Sequence, residues 1–596
     1  MDKKTIKICT CSMCNAVGAQ DVLLELRKSI EKSPLKDDIL IKTTGSSWLC
    51  TNGPTMIIEP DGIVYEKIKP KDIDNILESI ESGKPYGKNL YKSPDDGNGI
   101  PKMDEIPFIS RQELIVLENR GIIDPNNIDE YIAQDGYKAL KKVIDGMSGD
   151  EVIEEISQSG LRGRGGAGFP TGRKWKSRQK MKGDIKYVVC NADEGDPGAF
   201  MDRSILESDP HAIIEGMAIG AFAVGASKGY VYVRTEYPLA IQRLKVALKD
   251  AEEKGFLGDN IMGTEFSLHL KIFRGAGAFV CGETTALARS IEGKTPEPRQ
   301  RPPRTSLFGK PVVINNVETW ANVPRIINRG ADWFSKIGTE KSKGTKVFSL
   351  AGNIYNAGLV EVPMGITLRE LVYDIGGGIP DGGKFKAVQT GGPSGGVIPA
   401  KLLDLPIDYE RLEEAYATMG SGGMIIMDDK SCMVDVARYF LKFTIDESCG
   451  KCTSCREGTV AMYEILTDII EGRGKDGDLE FLEELAIAIK DASLCGLGQS
   501  APNPVISSLR HFREEYQAHI KDKKCPAKSC KELIYYKIDA EKCTGCFLCN
   551  MNCPTNAIIG NRKEIQNIVQ PKCIKCGVCL ESCNFDAVII EDNPES

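Results

Sequence analysis

The chain has 596 residues, 41% hydrophobic and 27% charged, with a net charge of −8 at pH 7. That length exceeds what one hydrophobic core supports and implies roughly three to five domains. The composition is globular and excludes neither enzyme nor scaffold, while the acidic balance argues against a nucleic-acid partner. Twenty-one cysteines clustered at short spacings point to metal ligation, not disulfides, in a compartment that keeps thiols reduced.

In chain order, Met1 to Ile8 alternates lysine with short apolar residues and lacks the apolar core of a signal peptide, so a cytoplasmic location is expected. Residues 1–84 read as a small α/β unit, with an amphipathic helix pattern (Val22, Leu23, Leu26, Ile30) and a strand-like Thr55 to Tyr65. Within it, Cys9-x4-Cys14 and Cys50 suit a 2Fe-2S site in a thioredoxin-like fold. Such a site needs four ligands and position 46 is serine, so Ser46 or Cys11 must complete it; a hydroxylate is a poorer iron ligand than a thiolate. Residues 85–110, with Gly83-Lys84-Pro85 at their start and Ser93-Pro94-Asp95-Asp96-Gly97 within, have linker chemistry.

Residues 111–335 alternate helical patterns with strands such as Tyr187 to Cys190 and Tyr230 to Val233. The most apolar stretch, Ala212 to Ala226, is too short to span a bilayer and carries Glu215, which predicts a buried helix and no membrane span. Gly163 to Gly168 spells G-x-G-x-x-G, but an amphipathic helix (Val152, Ile153, Ile156) precedes it and Pro170 with Gly172 follow, so a standard Rossmann site is rejected. Glycines that admit close backbone approach, with Arg162, Arg164, Arg173 and Lys174 nearby, still suit a phosphate-bearing cofactor. The polar loop Cys190 to Phe200 after a buried strand is able to hydrogen-bond a ribityl chain, a ribose or a nicotinamide. His211, His269, Cys190 and Cys281 read as ordinary packed side chains.

Residues 340–427 look like a small β-rich domain with strands at Val347 to Leu350 and Gly423 to Met427. Residues 428–520 read as helices (Val434, Val436, Tyr439, Phe440; Leu479, Leu482, Leu485, Ile487). There Cys449, Cys452 and Cys455 are separated by two intervening residues each, and Cys495 offers the fourth thiolate of a 4Fe-4S cluster. Residues 521–536 read as a zinc linker, in which Cys525 and Cys530 join His519 just before it in a zinc pattern, with Cys432 as a fourth candidate. Residues 537–596 repeat a C-x2-C-x2-C-x3-C run, in which the fourth cysteine of each run ligates the other cluster. Cys543, Cys546, Cys549 and Cys583 are thus assigned to one 4Fe-4S cluster, and Cys573, Cys576, Cys579 and Cys553 to a second.

The segments at 160–172 (GLRGRGGAGFPTG), 191–200 (NADEGDPGAF), 275–283 (GAGAFVCGE), 314–319 (INNVET) and 447–458 (ESCGKCTSCREG) resemble the NADH-oxidising flavin subunit of complex I and its relatives in soluble hydrogenases and formate dehydrogenases. With a thioredoxin-like domain in front and a two-cluster ferredoxin domain behind, the chain is most similar to the beta subunit of electron-bifurcating, NAD-dependent iron-only hydrogenases. The resemblance implies FMN lined by Gly163, Arg164, Gly165, Lys174, Asn191, Asp193, Glu194, Gly282, Glu283, Asn315 and Asn316, with Phe169, Glu194, Asp196 and Phe279 facing the nicotinamide of NAD(H). It implies a Rossmann-like FMN domain, a ubiquitin-like β-grasp domain and a helical bundle around a 4Fe-4S cluster. It also implies three partners: a hydrogenase catalytic subunit, a small 2Fe-2S thioredoxin-like subunit and ferredoxin. Position 284 is Thr where the family usually has Glu, and Arg304 follows Pro302-Pro303 where an aromatic residue is usual, which leaves NAD against NADP open.

A nicotinamide moves two electrons as hydride and an iron-sulfur cluster moves one, so a flavin is the expected converter, with no side chain needed as acid or base. Glu194 and Asp196 are expected to position the dinucleotide and tune the flavin. A flavin subunit of a formate dehydrogenase and a plain electron-transfer scaffold are the competing readings.

Overall fold

The computed structural model describes residues 3–46, 48–300 and 304–593, so the expectations resting on Met1 and on Pro302-Pro303 lie outside the described residues. The chain divides into two compact units, Met1–Ile426 with Leu494–Gly496, and Met427–Ser493 with Leu497–Ser596.

The first unit begins with a four-stranded sheet of order β2-β1-β3-β4, formed by β1 (Lys4–Cys9), β2 (Ile39–Thr44), β3 (Met56–Glu59) and β4 (Ile63–Tyr65). Strands β1 and β2 run parallel, whereas β3 and β4 are antiparallel to their neighbours. The predicted helix is Ala19–Lys32, whose Val22, Leu23, Leu26 and Ile30 lie in the core with Ile6, Ile8 and Met56. The linker 85–110 is ordered and packed. It holds the short pair β5 (Tyr91–Lys92) and β6 (Gly99–Ile100) and the helix Pro107–Ser110, and Tyr91, Ile106 and Phe108 are buried in a core shared with Val360 and Leu371.

A five-stranded sheet follows, of order β10-β11-β7-β8-β9. It comprises β7 (Tyr187–Ala192), β8 (Lys228–Arg234), β9 (His269–Gly275), β10 (Ser306–Leu307) and β11 (Lys310–Asn316). All neighbours are parallel except β10 with β11. The apolar stretch is the helix Pro210–Val224, started by Asp209, which accepts from Ala212 N at 3.2 Å, and ended by Gly225 in the left-handed region. Being apolar all round it is buried, and Glu215 within it accepts hydrogen bonds from Tyr131 Oη, Tyr137 N and Leu140 N. His211 is buried against Tyr137 at 2.9 Å, as expected. His269, expected to be packed, is exposed and faces Asp259 at 3.1 Å, because β9 is an edge strand.

A second five-stranded sheet has the order β13-β12-β16-β14-β15, from β12 (Thr345–Gly352), β13 (Gly358–Pro363), β14 (Phe385–Thr390), β15 (Gly396–Pro399) and β16 (Gly423–Asp428). Its central pair, β12 and β16, is parallel and the hairpins β12-β13 and β14-β15 are antiparallel.

In the second unit the helices Met433–Glu447, Thr453–Ile470, Asp478–Ala492 and Asn503–Gln517 pack through Val434, Leu441, Met462, Leu466, Leu482 and Leu509. Tyr439 and Ile487, expected on the apolar faces, are exposed, and Ala437, Ala486 and Ile489 occupy the core instead. The last segment pairs β17 (Ile534–Ile538) with β20 (Val588–Asp592), and β18 (Ile558–Ile559) with β19 (Asn567–Ile568), all antiparallel. Strand β17 starts at Ile534, so this module begins three residues before the expected 537.

Candidate functional site

In the parallel sheet, β7, β8 and β9 progress to one side while β11 lies on the other side of β7. The strand order therefore reverses between β7 and β11, and a crevice outside the carboxyl ends of the strands at such a point is where open α/β sheets bind ligands. Asn191 and Asn316 stand in register there, one residue beyond Cys190 and Asn315. The amide of Asn191 donates to Gly282 O at 3.0 Å. Lys174 Nζ donates to Ile314 O at 2.9 Å and Asn315 Oδ1 at 3.0 Å. Asn316 caps the helix Val317–Arg329 by accepting from Glu318 N, and its amide donates to Asp202 at 2.5 Å.

The glycine loop lies against this edge: a Cβ added at Gly165 would be 2.9 Å from Asn316 Cβ. Gly166, with φ +117°, bridges to Gly420. Arg164 is buried, and its guanidinium donates to the carbonyls of Arg162, Lys343 and Thr345 at 2.9, 2.6 and 3.0 Å, which pins the loop in place. The helix Thr171–Gln179 directly follows the loop, contrary to the sequence reading of Pro170 and Gly172. Proline is tolerated because it precedes the first helical N–H that needs a partner. Gly172 is required because any Cβ there would lie 2.2 Å from Ser157 Oγ. The helix Gly149–Gln158, not a strand, precedes the loop, as expected.

The loop after β7 supplies the acidic groups. Glu194 is buried and accepts from Asp202 N at 2.9 Å, Arg203 N at 3.1 Å and Tyr237 Oη at 3.3 Å; burial raises its pKa. Asp196 accepts from Ser421 Oγ at 2.7 Å and burial pushes its pKa up to about 6. Asp193 faces Arg234 at 3.9 Å. A Cβ at Gly195 would lie 2.5 Å from the Phe279 ring, so that aromatic packs directly on the loop. Glu283 caps the helix Thr284–Ile291, accepting from Thr285 N at 2.7 Å and Ala286 N at 2.9 Å. Phe169 is exposed, with the Arg173 guanidinium 5.8 Å from its ring centre.

These residues fit a flavin nucleotide. Asn315 Nδ2 is a buried donor without a partner, held at the crevice by the Lys174 bond to its own Oδ1, and such a donor suits phosphate or ribityl oxygens. Ser421, Tyr237 and the buried Lys346–Glu318 ion pair behind the site were not singled out from the sequence. Each is linked to its partner only by the fold.

At the amino terminus Cys9, Cys11, Cys14 and Cys50 are all buried, with their ligand atoms within 4.8 Å of one another. Cys11 therefore stands with the other three thiols, and Ser46 lies beside them, 3.2 Å from Cys50 Sγ. Two glycines allow this packing: a Cβ at Gly53 would be 2.8 Å from Cys14 Sγ, and one at Gly45 would be 2.3 Å from Ser208 Cα. Burial raises the Cys9 thiol pKa, and four thiolates packed this closely would repel one another without a cation among them.

In the second unit Cys432, His519, Cys525 and Cys530 form another buried set within 4.8 Å. His519 Nε2 is 3.4 Å from Cys432 Sγ and 3.3 Å from Cys530 Sγ, and its Nδ1 faces Glu515 O at 2.7 Å. A backbone carbonyl on Nδ1 fixes the ring with Nε2 as the ligand atom. The carboxy-terminal cysteines line two small cavities, one with Cys543, Cys546, Cys549 and Cys583, the other with Cys553, Cys573, Cys576 and Cys579. The repeated halves thus exchange one cysteine each, as the spacing predicts. Cys449 is exposed and Cys455 buried at the start of the helix Thr453–Ile470, while Cys495 falls in the segment Leu494–Gly496 that belongs to the first unit.

Comparison with known proteins gives this geometry its context. The Nuo51 FMN-binding domain matches residues 156–325, the NADH-ubiquinone oxidoreductase-F iron-sulfur binding region 435–519, and a 4Fe-4S dicluster domain 535–584. The chain is 57% identical to the NADP-reducing hydrogenase subunit HndC of Solidesulfovibrio fructosivorans, over 80% of this chain and 98% of that protein. It is 46% identical to an NADH-quinone oxidoreductase subunit of Rhizobium meliloti (strain 1021), over 70% of this chain and 99% of the relative. The crystal structure of an air-oxidised NAD+-reducing NiFe-hydrogenase aligns with a TM-score of 0.60 at 30% identity, covering 87% of this chain and 85% of that one. With an FMN-domain match at the strand-order reversal and relatives aligned over nearly their whole length, the chain belongs to the family of complex I-type, NADH-oxidising flavin and iron-sulfur subunits.

Proposed function

We propose that this chain is the NAD(H)-binding flavin and iron-sulfur subunit of a hydrogenase-type assembly, exchanging hydride between NAD(H) and FMN and single electrons with its iron-sulfur clusters. The observation that carries it is the convergence of Gly165, Lys174, Asn191, Gly282, Asn315 and Asn316 on the reversal between β7 and β11. Bound FMN would supply the two-electron to one-electron conversion. The chain's own residues would hold it: the glycine loop admits close approach, Lys174 and Asn315 offer charge and donors, and Glu194 and Asp196 set the field at the nicotinamide side with Phe169 and Phe279.

Two 4Fe-4S clusters are assigned to the exchanged cysteine sets of the carboxy-terminal module. A third rests on the Cys449, Cys452 and Cys455 spacing with Cys495 as fourth thiolate. A 2Fe-2S centre is assigned to Cys9, Cys14 and Cys50 with Cys11, and zinc to His519, Cys525, Cys530 and Cys432. The sheet order β2-β1-β3-β4 supports a thioredoxin-like first domain, and β13-β12-β16-β14-β15 supports a β-grasp domain. The partners proposed are a hydrogenase catalytic subunit, a small 2Fe-2S subunit and ferredoxin, with electron bifurcation as the reaction of the assembly and the cytoplasm as its place. Among the described residues no helix is long and apolar enough to cross a membrane.

The test is anaerobic titration of the FMN-loaded protein with NADH and, separately, NADPH. Bleaching of the flavin absorbance by at least one nucleotide is expected. A flavin that neither nucleotide bleaches removes the proposal.

A further inference from the structure

Ser46 is buried beside the four-cysteine centre and is tied to a residue far outside the cysteine-bearing segment. Arg120 Nε donates to Ser46 Oγ at 3.2 Å, and Ser46 Oγ lies 3.2 Å from Cys50 Sγ. The direction of this pair of bonds is set by chemistry. A guanidinium has donors and no acceptor, so Ser46 accepts from Arg120; a metal-bound thiolate has no proton to give, so the Ser46 hydroxyl donates to Cys50. Arg120 is itself fixed: it is 2% exposed, its Nη1 donates to Leu359 O at 3.2 Å, and it stacks 5.3 Å from the Trp48 ring centre. Leu359 lies on β13, so the guanidinium is anchored in a part of the first unit distant in sequence from the cysteines.

We propose that Arg120 and Ser46 form a directed hydrogen-bond relay onto Cys50 that raises the reduction potential of the centre held by Cys9, Cys11, Cys14 and Cys50. The relay makes that potential depend on the seating of the amino-terminal sheet against β13. The inference rests on the reading of these four cysteines as iron ligands. One-electron reduction adds one negative charge to the cluster and its thiolates, and takes no proton from the relay. A donor on the thiolate and a buried cation behind it both favour the more negative state, which is how outer hydrogen bonds tune such centres. Arg243 adds a second buried cation, donating to Thr10 O at 3.0 Å and Thr10 Oγ1 at 2.9 Å. Its hydrogen bonds go to the ligand loop at Thr10, so it acts on the centre through its charge.

The experiment is a redox titration of the full-length protein, following the 2Fe-2S paramagnetic resonance signal at a temperature where 4Fe-4S signals are broadened away. Ser46→Ala is expected to keep its iron but lower the reduced-to-oxidised ratio, at the wild-type midpoint, by about threefold to tenfold, the net worth of one ordinary hydrogen bond. Ser46→Thr, which keeps a hydroxyl, should restore the wild-type ratio. Arg120→Gln should lower it at least as far as Ser46→Ala, and the double variant no further than Arg120→Gln, because both changes break one relay. A Ser46→Ala protein with full iron and the wild-type midpoint overturns the proposal, as does full additivity of the two substitutions. Absence of any 2Fe-2S signal in the wild-type protein would instead overturn the ligand reading, and the relay with it. Since Ser46→Ala removes only one oxygen, it decides the matter even if Arg120→Gln misfolds.

Discussion

Asn316 sits beside Asn191 in register on neighbouring parallel strands, and its Cβ lies 2.9 Å from where a side chain at Gly165 would begin. The glycine loop and the strand-order reversal therefore share one surface. Gly165→Val forces branched carbons onto Asn316, an overpacking cost of about 1–3 kcal/mol. FMN content, read from the absorbance of released flavin, should fall by roughly tenfold or more, and NADH-dependent dye reduction with it. A variant with stoichiometric FMN and full dye reduction would place the flavin elsewhere.

Cys11→Ala should abolish the 2Fe-2S centre and lower total iron by about two atoms per chain. Cys190→Ala, at a buried thiol outside the cysteine sets, should leave the iron count unchanged. An unaltered 2Fe-2S signal in Cys11→Ala would mean that another group supplies the fourth bond.

Asp196 gives a pH dependence of definite sign. Its pKa in the folded chain is raised to about 6 by burial from the usual 3.8, so between these values the folded state holds more protons than the unfolded state. Stability is therefore lost as pH rises through that window and is flat above it. From about pH 5 to pH 7 the carboxylate should cost about 1 kcal/mol of further stability, which Asp196→Asn would not show. Thermal unfolding of the two proteins across that range checks this; parallel curves would mean that the carboxyl is ionised throughout.

His519→Ala removes the side chain whose Nε2 faces two of the three thiols. Metal analysis should find about one zinc per chain in the wild-type protein and little in the variant, with iron unchanged. Because metal binding is folding energy, the variant and a chelator-treated wild type should both unfold at lower temperature. Equal zinc content in the two proteins would contradict the assignment.

Local patterns in the sequence determined a good deal. The x2-x2-x3 cysteine runs predicted which cysteine of each half crosses to the other set, and the two cavities carry those same residues. Period-3.6 patterns located the helices at Ala19–Lys32 and Pro210–Val224, since a helix face is a property of neighbouring residues. Pro170 and Gly172 read locally as helix breakers, but a glycine that weakens an isolated helix is required at 172, where an added Cβ would lie 2.2 Å from Ser157 Oγ.

What only the tertiary structure decided are pairings between residues far apart. Cys11 and Ser46 were equal candidates by spacing, and which one joins Cys9, Cys14 and Cys50 depends on how the strand ends and loops fold back. Arg120 carries no signal in its own neighbourhood, yet it reaches Ser46 across 74 positions and Leu359 across 239. The reversal between β7 and β11 likewise exists only once β11 chooses the free side of β7. Short-range order follows from backbone geometry and side-chain periodicity, whereas these contacts form only when burial of apolar surface brings distant segments together.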